Sequence, residues 1–132
     1  RGYNPYIKRR ICMIKRIVVA GCRDYNNYDE AKKYIDLCIE KIRQNYQLIF
    51  VSGGCLGADK LGERYALEKG FVIERYPAEW EKYGKAADPL RNKKMAEISD
   101  CVICFWDGKS KGTKSMINYE KELKKPIRIK RI

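Results

Sequence analysis

The residues able to do chemistry gather in a few glycine-bearing clusters. Ser52-Gly53-Gly54-Cys55-Leu56-Gly57 follows an apolar run, Leu48 to Val51, and leads into Ala58-Asp59, where helical periodicity begins. A short apolar run bounded by glycines has the pattern of a central parallel strand covered on both faces. Glycines let the backbone turn tightly and let a ligand approach it. The first N–H groups of the following helix have no intrahelical partner, so such a turn suits a phosphate. One such turn is equally compatible with a connection that binds nothing.

Two further clusters lie at matching places. Gly21-Cys22-Arg23-Asp24-Tyr25 follows the apolar run Ile14–Ala20, and Asp107-Gly108-Lys109-Ser110-Lys111-Gly112-Thr113 follows Cys101–Trp106. Between them, a polar stretch from Pro77 to Ala87 holds Trp80, Tyr83 and Lys85. Asp88-Pro89 then reads as a helix N-cap and first position, with Arg91 and Asn92 in the first turn.

Several chemistries are excluded. The chain has no histidine, which removes Ser-His and Cys-His nucleophiles and mixed Cys/His zinc sites. Cys101 and Cys104 form a C-x-x-C inside an apolar strand, where residues three apart face opposite sides. The cysteines are therefore expected as buried reduced thiols in a cytosolic protein, with no metal. Lys109-Ser110 does not complete a P-loop, because its leading glycine would fall at Ile103 within a strand. No G-x-G-x-x-G follows the first strand and no acid ends the second, which argues against a dehydrogenase.

The 132 residues suffice for one domain with a real core. No apolar run is long enough to span a membrane. The formal net charge is +12 and favours an anionic partner, although much of the excess sits at the two ends. Residues 1–12 lack the apolar core of a signal peptide. They are expected to be an extension outside the folded core, with Met13 near the natural start and residues 13–132 forming one domain.

The elements that must position the clusters follow from periodicity. Asn27 with Glu30 three residues on marks a helix start, and Ala31, Tyr34, Ile35, Cys38, Ile39 and Ile42 form its apolar stripe. A second helix carries Ala58, Leu61, Gly62, Tyr65 and Ala66 on one face and stops at Gly70. Phe71–Tyr76 reads as a third strand, a third helix runs to about Ser99, and a fourth uses Met116, Ile117 and Leu123 before Pro126. A short strand, Pro126–Ile129, closes the chain. Five strands alternating with four helices predict an α/β, Rossmann-like, three-layer open parallel sheet of order 3-2-1-4-5. Ligands of such sheets bind beyond the strand carboxyl ends, where the order reverses, here between the first and fourth strands. The three polar turns converge on that edge.

GCRDY, SGGCLGAD, PAEWEKYGKAADPLRN and GKSKGT together resemble the YspA/YpsA-related branch of the SLOG superfamily, across about Lys15 to Ile129. The resemblance implies a Rossmann-like fold that senses or processes nucleotide ligands. It implies ligand contacts at Gly21, Arg23, Ser52, Gly53, Gly54, Gly57, Asp59, Lys85, Arg91, Asn92, Gly112 and Thr113, to which the residues themselves add Asp24 and Trp80. Asp88 departs from the branch, which commonly has glycine there; it is expected either to weaken phosphate binding or to cap the third helix. Arg23 and Arg91 suit phosphate oxygens, Asp59 suits ribose hydroxyls, a base amino group or bracing of the turn, and Trp80 and Tyr83 suit base stacking.

Three functions compete. The first is a sensor or sequestering protein that binds a nucleotide or nucleotide-derived ligand without chemistry. The second is a nucleotide-cleaving enzyme similar to the LOG phosphoribohydrolases. That family places a glutamate three residues after the threonine of P-G-G-x-G-T-x-x-E; Met116 stands there in this chain, and Glu120 lies a turn further on. The third is single-stranded nucleic-acid binding, because SGGCLGAD is also similar to the S-G-x-A-x-G-I-D turn of DprA. No cofactor is expected beyond a nucleotide-type ligand, the location is expected to be cytoplasmic rather than membrane-bound, and self-association is an open possibility.

Overall fold

The computed structural model describes residues 13–132; the expectation of an N-terminal extension over 1–12 lies outside the described residues. Five parallel strands form one sheet: β1 (Ile14–Gly21), β2 (Gln47–Ser52), β3 (Val72–Arg75), β4 (Cys101–Trp106) and β5 (Ile127–Arg131). Their order is β3-β2-β1-β4-β5, as the periodicity predicts.

Two helices cover each face. On one side lie α1 (Tyr28–Ile39) and α2 (Ala58–Lys69), whose Ala31, Ile35, Ile39, Ala58, Tyr65 and Ala66 pack on Ile17, Val19, Leu48, Phe50, Ile103 and Phe105. A short helix, α3 (Trp80–Tyr83), precedes α4 (Ala87–Ile98) and α5 (Lys111–Glu122) on the other side. There Met95, Ala96, Met116 and Ile117 pack on Val18, Val51, Val102 and Cys104. Cys101 and Cys104 do face opposite sides, one toward each core. Gly62 has the packing role its place in α2 suggests, because a Cβ there would lie 2.6 Å from that of Val19.

Local signals explain most boundaries. Asn27 caps α1, its Oδ1 accepting from the Glu30 N–H at 3.1 Å. Gly70 ends α2 in the left-handed conformation. Ser110 caps α5 through the Thr113 N–H. The polar connection from Pro77 to Ala87 contains α3 and a 3-10 turn at Gly84–Ala86. One expectation changes. Asp88 is not the cap of α4, which begins at Ala87 without a side-chain cap. Asp88 and Pro89 lie inside the first turn, where a missing N–H costs nothing. The other end of α4 is closed by Lys125, whose Nζ donates to the carbonyls of Ala96, Glu97 and Ser99 at 2.6, 2.8 and 2.6 Å.

Candidate functional site

At the reversal of strand order, β1 and β4 part. Gly21 pairs with Phe105 in the register, and the Cys22 N–H still donates to the Phe105 carbonyl at 3.0 Å. Beyond that bond the chain diverges and leaves a cavity of about 430 Å³. Its walls come from the turns after β1, β2 and β4 and from α2, α4 and α5.

Eight of the expected residues line it: Gly21, Arg23, Asp24, Asp59, Arg91, Asn92, Gly112 and Thr113. Ser52, Gly53, Gly54, Gly57, Trp80 and Lys85 are not among the lining residues. Ser52 is buried, donating from its hydroxyl to Glu63 at 2.6 Å and accepting the Gly54 N–H at 3.0 Å. Gly57, at φ +78°, is the contact point between the first two turns: a Cβ there would sit 2.2 Å from the Cys22 carbonyl oxygen. Trp80 and Lys85 are exposed on α3 and the 3-10 turn.

Three N–H groups of the glycine turn after β2 are used within the fold. The Gly54 N–H goes to Ser52, the Cys55 N–H to Asp59 Oδ2 at 3.2 Å, and the Ala58 N–H to the Cys22 carbonyl at 3.1 Å. Gly53 is bare because Arg91 occupies the space; a Cβ there would meet its Nη1 at 2.6 Å. Arg91, buried at the centre, donates to the Gly53 and Tyr76 carbonyls, to Asn92 Oδ1, to Asp88 Oδ1 and to Cys55 Sγ. A guanidinium has five N–H groups, so this arginine is a strut joining β2, β3 and α4 rather than a free phosphate clamp.

Arg23 differs. Its side chain is 67 % exposed and its described partner is Asp88 Oδ2, at 3.1 Å from Nη2. Asp88 thus bridges the two arginines, one on each carboxylate oxygen. Periodicity misplaced this residue because Asp-Pro is a strong capping signal; its pairing depends on a turn 65 residues away.

Four carboxylates line the cavity against two guanidiniums. Asp107 braces the turn after β4, its Oδ1 accepting the Lys109 and Ser110 N–H groups at 2.8 and 2.9 Å. Those bonds hold its pKa below the usual value. Asp59 is buried, and burial pushes its pKa up to about 6, against the opposing pull of the Cys55 N–H and Arg91. Asp24 is exposed. Ala20, Cys22, Cys55, Met95, Ser110 and Met116 complete the wall without having been singled out as ligand contacts. Of these, Ser110 was findable from sequence, since it stands two residues before Gly112 at a helix start. Among the described residues no group of acids and cysteines is arranged to hold a metal ion, and no described helix is long and apolar enough to cross a membrane.

Comparison with known proteins gives the fold and the family. Residues 15–83 match the family described as the YspA, cpYpsA-related SLOG family. The Gene 61 protein of Mycobacterium phage D29 is 34% identical over 107 residues, covering 76% of this chain and 84% of that protein. DNA processing protein A from Streptococcus pneumoniae superposes with a TM-score of 0.68 at 18% identity, over 89% of this chain and 50% of that one. This chain thus spans about half the length of that protein. DNA processing protein A from Helicobacter pylori, which has a single-stranded DNA binding mode, superposes at 0.64 with 21% identity, over 92% and 67% of the two chains. TM1055 superposes at 0.61 with 20% identity, over 87% and 72%. The structural likenesses establish a Rossmann-like fold, and the sequence matches place this chain in the YspA, cpYpsA-related SLOG family.

Proposed function

We propose that the cavity between the ends of β1 and β4 binds a nucleotide-derived ligand, and that the protein acts as a sensor or sequestering protein. The family and its fold fit nucleotide or nucleic-acid binding. The observation that carries the finer reading is the cavity's lining: one arginine with donors to spare set among carboxylates, at the strand-order reversal. Arg23 and the first turn of α5 suit a single phosphate. Asp24 and Asp59 suit ribose hydroxyls or a base amino group, since ionised carboxylates only accept. A ligand rich in phosphate would meet repulsion from four acids.

Catalysis in the manner of the LOG enzymes lacks its acid. Met116 lines the cavity where that family has glutamate, while Glu120 is fully buried and pairs with Ser99 instead. One observation favours a hydrolytic alternative. Asp59, with its pKa near 6, can hold or release a proton at neutral pH while facing the cavity. Hydrolysis would place the hydroxyl of water on the sugar carbon and send the base away with the proton.

The test is a thermal-shift series with mononucleotides and ADP-ribose on the wild type, Arg23→Ala and Gly112→Leu, with the ligand recovered and weighed. A Cβ at Gly112, which lines the cavity, meets nothing within 4 Å, so a larger side chain can start there without a clash, and circular dichroism checks that the leucine variant keeps its fold. A ligand at ~100 times its Kd stabilises by about 2.7 kcal/mol. A shift lost in both variants, with the ligand intact, supports the sensor. Recovery of base and sugar phosphate makes the protein a hydrolase. Absence of any nucleotide shift, with tight oligonucleotide binding that falls steeply with salt, replaces both readings with the nucleic-acid one.

A further inference from the structure

We infer a second binding subsite, on the β3 side of α4, that takes a planar ring bearing a phosphate. A separate cavity of about 450 Å³ opens there, walled by Tyr76, Pro77, Tyr83 and Leu90, with Arg75 and Lys94 at its rim. Its chemistry is opposite to that of the first cavity. Aromatic and aliphatic faces replace carboxylates, and Glu79 is the acid among its lining residues, against Arg75, Arg91 and Lys94.

The apolar faces are accessible. Tyr83 and Leu90 are 41% and 43% exposed, large values for side chains of their type beside a core. The cations are placed to meet an anion. Arg75 spends Nε and Nη2 on Glu63 at 3.2 and 3.0 Å, yet its side chain stays 56% exposed, and Lys94 is exposed. Lys82, outside the lining, lies over the Tyr83 ring with Nζ 5.1 Å from its centroid. Rings interleaved with cations form a stacking platform for a base with its phosphate nearby.

Arg91 lines both cavities. It holds the Tyr76 carbonyl on one side and Cys55 and Asp88 on the other, so the two spaces share one rigid wall. The geometry fits a ligand with two ring systems joined through phosphate, astride the start of α4. That chemistry belongs either to a dinucleoside phosphate or to a short single strand. The bipartite ligand rests on the nucleotide reading of the first cavity; the second subsite itself does not.

The experiment is calorimetric titration of the full chain with AMP, with a dinucleoside diphosphate and with a pentadeoxynucleotide. The wild type is compared with the double variant Tyr83→Ala/Lys94→Glu and with Gly112→Leu. Both Tyr83 and Lys94 are exposed, so the double variant keeps its fold, which circular dichroism checks. The expected result is that a two-ring probe binds the wild type at least tenfold tighter than AMP, and that the double variant loses this advantage while retaining the AMP binding that Gly112→Leu removes. Binding of the pentanucleotide that weakens steeply from ~50 to ~200 mM salt identifies a strand as the source; salt-insensitive binding of the dinucleoside identifies the small molecule. Equal binding of AMP and the two-ring probes, or a double variant indistinguishable from the wild type, overturns the second subsite. If the two-ring probe is lost in the double variant but unaffected by Gly112→Leu, the second subsite stands and the reading of the first cavity falls. No binding by any probe overturns both.

Discussion

Replacing Asp59 by asparagine should make the protein more stable at neutral pH and poorer at binding. Asp59 is 6% exposed, and its carboxyl titrates near 6 in the fold against an ordinary value of 3.8. An acid whose folded pKa is raised keeps its proton longer in the native state. Its ionisation therefore costs nothing below about pH 4, costs progressively more between about 4 and 6, and reaches its full cost above that range. The rise from 3.8 to about 6 corresponds to about 3 kcal/mol. Asparagine retains an acceptor for the Cys55 N–H at the position of Oδ2 and removes the charge. For a chain of this length the change is worth up to about 10 °C in Tm. Paired thermal melts of wild type and Asp59→Asn from pH 4 to 8 should coincide at the acid end, diverge between about pH 4 and 6 and keep a constant gap above that, with the variant melting higher. A variant that melts lower than wild type at pH 8, or a gap that does not depend on pH, refutes the account of Asp59 as an acid retained at the expense of stability for use in the cavity.

Other outcomes follow from the same structure. Glu120 is fully buried with Oε1 unpartnered among the described residues, and burial pushes its pKa up to about 7 despite the nearby Lys125; Glu120→Gln should remove a loss of stability that the wild type shows as pH rises from about 4.5 to 7, read as a flatter curve of urea midpoint against pH. Asp88→Ala frees the exposed Arg23 and removes one of the five partners of the buried Arg91, so it should tighten binding of phosphate-bearing ligands through Arg23 several-fold, an effect that fades at high salt, with about 1 kcal/mol or less of the stability change coming from the Arg23 pair and the rest from Arg91. Gly112→Ala should stabilise the fold by about 0.5–1 kcal/mol, because a glycine in the first turn of α5 has open space beside it and no strained φ. Chemical denaturation of that variant checks whether the glycine is there for room rather than for conformation.

The fold was legible because each element carries its own signal. Val18, Val51 and Ile103 sit in strands that read as apolar runs, Asn27 and Gly70 announce helix ends, and the three turns fall at equivalent points of successive strands. What periodicity could not supply was pairing across the chain. Arg91 reads as a phosphate ligand when its position in a helix first turn is all that is known. Its role as a strut depends on Gly53, Cys55 and Tyr76, each reached through the folded sheet. The same holds for the Gly54, Cys55 and Ala58 N–H groups at the β2 turn, which Ser52, Asp59 and Cys22 take up internally. Asp88 was noticed as a departure, but its two arginine partners are invisible to local sequence. The α3 turn was missed because its four residues are too few to show a period.

The central claim is that a nucleotide-derived ligand sits between the ends of β1 and β4. Titration of 15N-labelled protein with the nucleotide that gives the largest thermal shift tests it most directly, by following every backbone amide. The account predicts saturable shifts concentrated at residues 21–24, 55–59, 88–92 and 107–113, and their loss in Gly112→Leu. Shifts confined to surfaces away from these four segments, or unchanged by Gly112→Leu, would contradict it.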